Sequence, residues 1–461
     1  MEFSLIRAAR PLVATGAVAL LAIVVSADVM AGQSAGAQQP AGQSGQPQKN
    51  WKDRAEYDLY VKITQTQDPK QRLELLNTWR DKYPQTDFQT ERNQAYIGAL
   101  GQVAQSDPSQ RQALIDKCEE VLKTDSKNFT AAYYLTLTGP QVGGNSPPPD
   151  LVTQVQNGAH VVLDQAETMF APDKKKPGVS DADWTKAKNQ IVALAHTALG
   201  WAASASKDTA SAENEYKASL QANPDQGTVS AAYAKLLMDE KKYPEGLFEY
   251  ARAAQYTGPG PSLPANTRTQ LMDYFNKAYK DYHGSAEGAD QLLAQAKTNA
   301  LPSGPLNITS QADMANKEAA DLQSKINSDP KFKLWYTIKQ SLTSDQGEQF
   351  FNSNVKDAEI PGGADGVKNF TGTVISVDPP DRPTRVVLGV EDPAKPDVTL
   401  EFTQPLPATA LDKVKVGQTL DFSGVADSFT KDPYMLTFKD PTIPGVQTAA
   451  PPRKGTARRK R

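Results

Sequence analysis

Residues 197–226 read TALGWAASASKDTASAENEYKASLQANPDQ, and the spacing of small, aromatic and proline residues in this stretch predicts a helical hairpin. The residues that carry the pattern are Leu199 and Gly200 on a first helix, and Ala212, Tyr216, Leu220 and Pro224 on a second. A small residue lets two helices cross closely, an aromatic ring fills the groove beside it, and proline stops the second helix. The stretch is therefore interpreted as one unit of a scaffold rather than as the lining of a site.

The same pattern returns after 34 residues. The second copy carries Gly246, Tyr250 and Ala253, each 34 residues beyond its counterpart in the first. A helix pair of this length resembles the tetratricopeptide repeat (TPR), and the best copies are 193–226 and 227–260. The resemblance implies a stack of antiparallel helical hairpins.

A looser third copy runs through residues 271–302, where Ala289 and Ala296 take the places of the small residues. The chain departs from the family at His196 and Ala203, where the repeat usually has Trp and Tyr. These departures change which side chains fill the groove between the helices more than they change how the helices pack.

A second kind of pattern begins near residue 360. Runs rich in β-branched residues replace the helical periodicity, and Val398, Leu400 and Phe402 alternate as a half-buried strand requires. Three strands, a short helix and two further strands are typical of a small OB-like barrel. The predicted fold class is therefore multidomain α + β: an all-α TPR-like helical-hairpin solenoid followed by a small five-stranded OB-like β-barrel.

The predicted boundaries follow the breaks in these patterns. The segments are a leader at 1–37, a flexible spacer at 38–50, N-terminal TPR-like hairpins at 51–140, a Pro/Gly linker at 141–150, TPR repeats at 151–302, a helical connector at 303–360, the OB-like barrel at 366–445 and a disordered basic tail at 446–461.

The leader has the layout of a secretory signal peptide. Arg7 and Arg10 precede the uncharged apolar run at 11–27, and Ala35-Gly36-Ala37 forms a candidate cleavage site. The apolar run is also at the lower limit of what spans a bilayer, so a retained membrane anchor is the alternative. In either case we expect an exported bacterial protein that is periplasmic or attached to the membrane.

Few residues in the sequence suit catalysis. Cys118 is the only cysteine, which excludes an internal disulfide or a thiolate zinc cluster, and its helical context predicts a buried side chain. The three histidines, His160, His196 and His283, lack the spacing and the acidic or cysteine neighbours of a metal or catalytic site. Phosphate-loop and nucleophile-elbow motifs are absent from the sequence. We therefore predict a protein that is not an enzyme, with no metal and no cofactor.

Binding is the better-supported class of function. TPR arrays line a concave groove with the inner helix of each pair. The groove positions carried over from the repeat are Thr197, Trp201, Ser204, Ala231, Lys235 and Met238. An exposed Trp and Met beside a Lys would suit a peptide with apolar side chains and a carboxylate. The alternative is that Trp201 packs against a neighbouring helix.

The alternative function is nucleic-acid or polyanion binding through the barrel and the basic tail. The candidate polyanion contacts are Arg453, Lys454, Arg458, Arg459, Lys460 and Arg461, and without these six positive charges the net charge falls from −3 to −9. Residues 370–440 contain seven basic and eleven acidic side chains, which is a poor surface for phosphates. For the tail, anionic lipid or wall polymer is the favoured partner, and a solvated tail without a partner is the alternative.

The sequence therefore predicts a non-catalytic TPR scaffold or adaptor that binds a protein or peptide partner at the cell envelope. The barrel is expected to be a second interaction module or a cap on the end of the solenoid. The identity of the partner and the oligomeric state stay open.

Overall fold

The computed structural model describes residues 51–363 and 366–446, in two compact units that divide between Gln311 and Ala312. The leader, the spacer and all six basic residues of the tail lie outside the described residues, and the predictions made for them stay predictions. Val446 is described, and it packs against the core of unit 2. Within the part of the chain that is described, no helix is both long enough and apolar enough to cross a membrane.

Unit 1 is built from α-helices joined by turns and short 3₁₀ segments. Its helices within the described residues are α1 (Arg54–Gln65), α2 (Pro69–Lys82), α3 (Gln89–Ser106), α4 (Arg111–Thr124), α5 (Phe129–Gly143), α6 (Pro149–Met169), α7 (Asp181–Ala205), α8 (Thr209–Ala222), α9 (Gly227–Asp239), α10 (Tyr243–Gln255), α11 (Ala265–His283) and α12 (Ala289–Thr298).

Several helices begin where the sequence places a capping residue before a proline. The Asp68 carboxylate accepts a hydrogen bond from the backbone N–H of Gln71 at 2.8 Å, and Pro69 is the first residue of α2. Asp107 accepts from the Ser109 N–H at 3.1 Å, at the start of the 3₁₀ turn that leads into α4. Caps of this kind contribute about 1 kcal/mol each. At both positions the capping side chain and the following proline begin the helical segment.

The predicted hairpins form between α7 and α8 and between α9 and α10. A Cβ atom placed on Gly200 would lie only 2.8 Å from the ring of Tyr216, so the small residue is needed for the close crossing. Ala212 is fully buried beside this crossing. The helical-hairpin arrangement implied by the TPR resemblance is therefore present in unit 1.

Two helices of unit 1 are enclosed on all sides, which an open solenoid would not require. Residues 129–140 of α5 and residues 246–254 of α10 are buried without interruption. The α5 segment contains no charged side chain on any face, as expected for a surrounded helix. By contrast, α10 carries Glu249 and Arg252 into the interior.

The predicted linker at 141–150 is not a domain boundary. Helix α5 continues through Pro140 as far as Gly143, and α6 begins only six residues later, at Pro149. Side chains from both helices, including Leu135 and Val155, belong to one apolar core. The proline and glycine residues there mark a tight connection between packed helices, because the core continues across them.

Unit 2 combines helices with a mixed, curled β-sheet. Its helices are α13 (Gln311–Ser328, which begins at the last residue of unit 1), α14 (Pro330–Thr343) and α15 (Gly347–Phe350), followed by a π-helical turn at Phe351–Val355. Its strands are β1 (Glu359–Ile360), β2 (Phe370–Asp378), β3 (Arg385–Gly389), β4 (Val398–Glu401), β5 (Thr419–Phe422), β6 (Gly424–Lys431) and β7 (Tyr434–Lys439).

The predicted count of five strands is wrong, because the described sheet has seven, in the order β1-β6-β7-β4-β3-β2-β5. One added strand is the two-residue β1, which lies at the end of the predicted helical connector and pairs with β6. The other arises because a single predicted run is divided into β5 and β6 at Ser423, whose backbone pairs with Thr442 instead. All neighbouring strands are antiparallel except β4 and β7, which are parallel.

The second half of the segment predicted as a helical connector packs into unit 2. Trp335 of α14 is fully buried in the core of unit 2, and its ring meets Phe370 of β2 at 5.3 Å between centroids. Ile338 and Leu342 belong to the same core. The amphipathic pattern of this helix is therefore explained by packing against the sheet.

Candidate functional site

The predicted groove residues on α7 are engaged inside unit 1. The indole Nε1 of Trp201 donates a hydrogen bond to the Gly144 carbonyl at 2.8 Å, and a Cβ on Gly143 would lie 2.6 Å from the Trp201 ring. Thr197 Oγ1 lies 2.7 Å from Ser219 Oγ on α8, and it donates within its own helix. Ser204 Oγ donates to the Gly200 carbonyl at 2.8 Å. Trp201 therefore packs against a neighbouring helix, at the end of α5, which was the alternative to a groove position.

The predicted groove residues on α9 differ in their accessibility. Lys235 is exposed and forms an ion pair with Asp239 one turn later, with 2.5 Å between Nζ and Oδ2. Ala231 is half-buried. Met238 packs inward, since a Cβ on Gly246 would lie 2.7 Å from its sulfur. Among the six predicted residues, Ala231 and Lys235 are the ones that this arrangement leaves available to a partner.

The accessible residues of α9 form a continuous stripe along one side of the helix. Its members are Thr228, Ala231, Ala232, Lys235 and Asp239, hereafter the α9 stripe. They recur at steps of three and four residues and so face one direction. Three small side chains followed by a Lys–Asp pair give a shallow surface with one charge of each sign at its end.

The histidines take structural or surface positions. His196 Nδ1 lies 2.7 Å from Glu215 Oε2, which links α7 to α8. His283 Nδ1 lies 2.8 Å from the Thr309 carbonyl oxygen, and His160 is exposed. Cys118 is fully buried as predicted, and burial raises the pKa of its thiol far above the usual value.

The sequence reasoning missed a buried polar cluster between α9 and α10. Its members are Ser230 on α9 and Glu249 and Arg252 on α10. Both carboxyl oxygens of Glu249 and the Ser230 hydroxyl are buried without a hydrogen-bond partner among the described atoms. Burial raises the pKa of Glu249 to about 8, against the opposing effects of Ser230 and Arg252. A signal was present, because Glu-Tyr recurs at 215–216 and 249–250 in the 34-residue phase.

Two surface depressions accompany these features. One, of about 520 Å³, is lined by polar residues such as Asp181 at the start of α7 and Asp225 after α8. The other, of about 200 Å³, lies in unit 2 and includes Lys325 and Lys331. Lys331 is occupied, since its Nζ lies 3.1 Å from Thr371 Oγ1 and 3.5 Å from Asp421 Oδ1. Among the described residues, no group of three or more His, Cys, Asp or Glu side chains is placed to hold a metal ion.

Comparison with known proteins adds little to this geometry. No protein-family model matches the sequence, and no curated protein matches it either. A crystal structure described as a thermophilic TPR protein in Thermus thermophilus is similar at 15% sequence identity, over 49% of this chain and 95% of that chain, with a TM-score of 0.24. The assignment of unit 1 as a stack of helical hairpins therefore rests on the packing described above.

Proposed function

We propose that the chain is a non-catalytic, TPR-like scaffold that binds a protein or peptide partner through the α9 stripe. The observation that carries the proposal is the contrast within the second repeat. Residues 246–254 of α10 are all buried, whereas α9 keeps one ordered face accessible. Helical repeats of this kind bind partners through the inner helices of successive pairs.

The chemistry of the stripe favours an extended peptide that carries a carboxylate. Thr228, Ala231 and Ala232 have short side chains that allow a peptide backbone to approach the helix closely. Lys235 Nζ is accessible to a carboxylate because its side chain is 49% exposed and its partner, Asp239, is also at the surface. Such a contact fixes the orientation of the bound peptide, and a like charge in its place would weaken binding. Trp201 is left out of the proposed contact, since its indole is committed to Gly143 and Gly144.

We propose that unit 2 is an OB-like barrel that serves as a second interaction module or as a cap. Strands β2, β3 and β4 form an antiparallel meander, and β4 continues to β7 by a parallel pair. Strand β5 pairs with β2 while β6 pairs with β7, and the two are separated only by Ser423. Because β5 and β6 are nearly continuous and pair with different parts of the sheet, this connectivity supports a seven-stranded sheet that curls toward closure.

We further propose that the protein is exported and that residues 1–37 direct it to the cell envelope. The proposal rests on the order of basic, apolar and small residues in the leader. Cell fractionation followed by N-terminal sequencing tests it: Gln38 as the first residue indicates cleavage, and an intact leader in the membrane fraction indicates an anchor. Recovery of the intact chain from the cytoplasmic fraction would contradict export.

Site-specific photo-crosslinking in the producing cells tests the proposed binding surface. A photoreactive amino acid at Ala232, within the stripe, is compared with the same amino acid at Asn214, which is exposed on α8. The proposal predicts a discrete crosslinked product from position 232 and none from position 214. Equal products from both positions, or none from position 232, would contradict it. Addition of DNase and RNase before analysis separates a protein adduct from the nucleic-acid alternative.

A further inference from the structure

Helix α10 has two charged side chains that are buried in the interior of unit 1. Glu249 is fully buried, and Arg252 retains only 5% of its exposure. The two terminal nitrogens of the Arg252 guanidinium are occupied: Nη1 donates to the Asn299 carbonyl at 2.9 Å, and Nη2 donates to the Pro224 carbonyl. The Arg252 Nε–H is buried without a hydrogen-bond partner, and Arg252 forms no ion pair with Glu249 among the described contacts. The carboxyl group of Glu249 is thus enclosed without a partner.

The preceding repeat shows how this position is satisfied elsewhere in the same fold. Glu215 lies 34 residues before Glu249, and His196 lies 34 residues before Ser230. His196 Nδ1 and Glu215 Oε2 are 2.7 Å apart, and both side chains are partly accessible. In the second repeat the shorter Ser230 replaces the histidine and does not bond to the glutamate. Equivalent positions therefore hold a paired carboxyl group in one repeat and an unpaired one in the next.

The groups around Glu249 offset a negative charge there only in part, because burial outweighs the effects of Ser230 and Arg252. On its own helix the nearest charge is Arg252, and α9 presents Ser230 and Tyr233. Behind Tyr233, α8 presents Glu213, an acid that is paired with Lys217 and Lys242. Helices α11 and α12 pack on α10 mainly through apolar and aromatic side chains, and the titratable ones are Tyr274, Tyr279 and Tyr282. The pKa values of Tyr233, Tyr274 and Tyr279 are all raised by burial.

We propose that the α9–α10 hairpin is a pH-responsive element that is closed while Glu249 is protonated and opens more readily once the carboxyl group loses its proton. Neither carboxyl oxygen accepts a hydrogen bond among the described contacts, and Ser230 and Arg252 offset only part of the cost of burying a negative charge there, so the ionised form is unfavourable in this position. Separation of α10 from α9 brings water to the group. The same movement removes the packing of α10 against α9, the helix that carries the α9 stripe. Opening is therefore expected to alter the proposed binding surface.

The direction of the pH dependence follows from linkage. Burial raises the pKa of Glu249 to about 8 in the closed hairpin, whereas an exposed glutamate has a pKa of about 4.3. The stabilising contribution of the neutral form is complete below about pH 4.3 and is lost progressively until about pH 8. Over this window, each pH unit favours the open form by about tenfold, and above it the dependence levels off.

Hydrogen exchange measured by mass spectrometry on the full chain tests the proposal. The protection of peptides covering residues 227–255 is compared between wild type and Glu249→Gln at each pH from 5 to 8, so that the chemical rate of exchange cancels. We expect wild type to lose protection by about tenfold per pH unit relative to the variant. A wild-type-to-variant ratio that does not change with pH would overturn the proposal.

Two further variants keep the test decisive. If Glu249→Gln does not fold, Glu249→Leu removes the titrating group with an apolar side chain of similar size, and the same ratio is measured. Glu215→Gln is the matched control, because it makes the same chemical change at the equivalent position of the preceding repeat. It is expected to leave the pH dependence of peptides 227–255 as in wild type. Loss of that dependence in Glu215→Gln would contradict the assignment to Glu249.

Discussion

The close crossing of α7 and α8 can be tested by replacing glycine with alanine. Helix propensity alone predicts a gain in stability, whereas a steric clash at the crossing predicts a loss. Replacing a helical glycine by alanine favours the helix by about 1 kcal/mol when the new methyl group has space. At Gly98, in α3, a Cβ meets nothing within 4 Å, so Gly98→Ala is expected to stabilise unit 1 by about this amount. At Gly200, a Cβ would lie 2.8 Å from two atoms of the Tyr216 ring.

The ring of Tyr216 has little room to move away. It is 5% exposed and packs near Tyr233, with 6.2 Å between ring centroids. Overpacking of this kind costs about 1–3 kcal/mol. Since both variants gain the same propensity term, the difference between them isolates the packing cost: Gly200→Ala should be less stable than Gly98→Ala by about 1–3 kcal/mol.

Urea unfolding followed by circular dichroism at 222 nm measures both variants in unit 1. The expected order of midpoints is Gly98→Ala above wild type and Gly200→Ala at or below it. Adding Tyr216→Leu to Gly200→Ala removes the clash, so that the alanine should then cost less than it does with Tyr216 present. Equal stabilisation by Gly98→Ala and Gly200→Ala would refute the claim that a small residue is required at this crossing.

Three further predictions concern other parts of the described structure. Cys118 is fully buried with a raised pKa, so we expect a thiol reagent to label it at least about a thousandfold more slowly in the native protein than in denaturant; comparable rates would contradict its placement. Trp335→Ala should destabilise unit 2 by about 3–5 kcal/mol, measured by the hydrogen-exchange protection of the β-strand peptides. A cost below about 1 kcal/mol would contradict the packing of α14 in the core of unit 2. Trp201→Phe should cost about 1 kcal/mol in unit 1 through the lost bond to Gly144, and an unchanged urea midpoint would show that this hydrogen bond adds nothing.

Local spacing was sufficient to predict the hairpins and most of the strands. Gly200 and Tyr216 are sixteen residues apart, and their contact follows from the geometry of one helix pair. The alternation of Val398, Leu400 and Phe402 likewise located strand β4, which holds the first two and ends just before the third, and all three side chains are buried. Such patterns are visible in the sequence because each depends on neighbouring residues of one element.

The errors arose where a residue's role depends on distant parts of the chain. Trp201 packs on Gly143 and Gly144, 57 residues or more before it, and nothing in its own helix specifies that contact. Helix α10 is enclosed because α11 and α12 cover it, which turned Glu249 into a buried group. The division of one predicted run into β5 and β6 depends on the pairing of Ser423 with Thr442.

The measurement that tests the scaffold account most directly is the affinity of the crosslinked partner for charge-reversed variants. Lys235→Glu changes the charge within the α9 stripe, and Lys317→Glu makes the same change at an exposed Lys–Asp pair of the same spacing in unit 2. Calorimetric titration of each variant with the purified partner should give at least about tenfold weaker binding for Lys235→Glu, which corresponds to about 1.4 kcal/mol. Lys317→Glu should bind as wild type does. Equal affinities for both variants and wild type would contradict recognition through this surface.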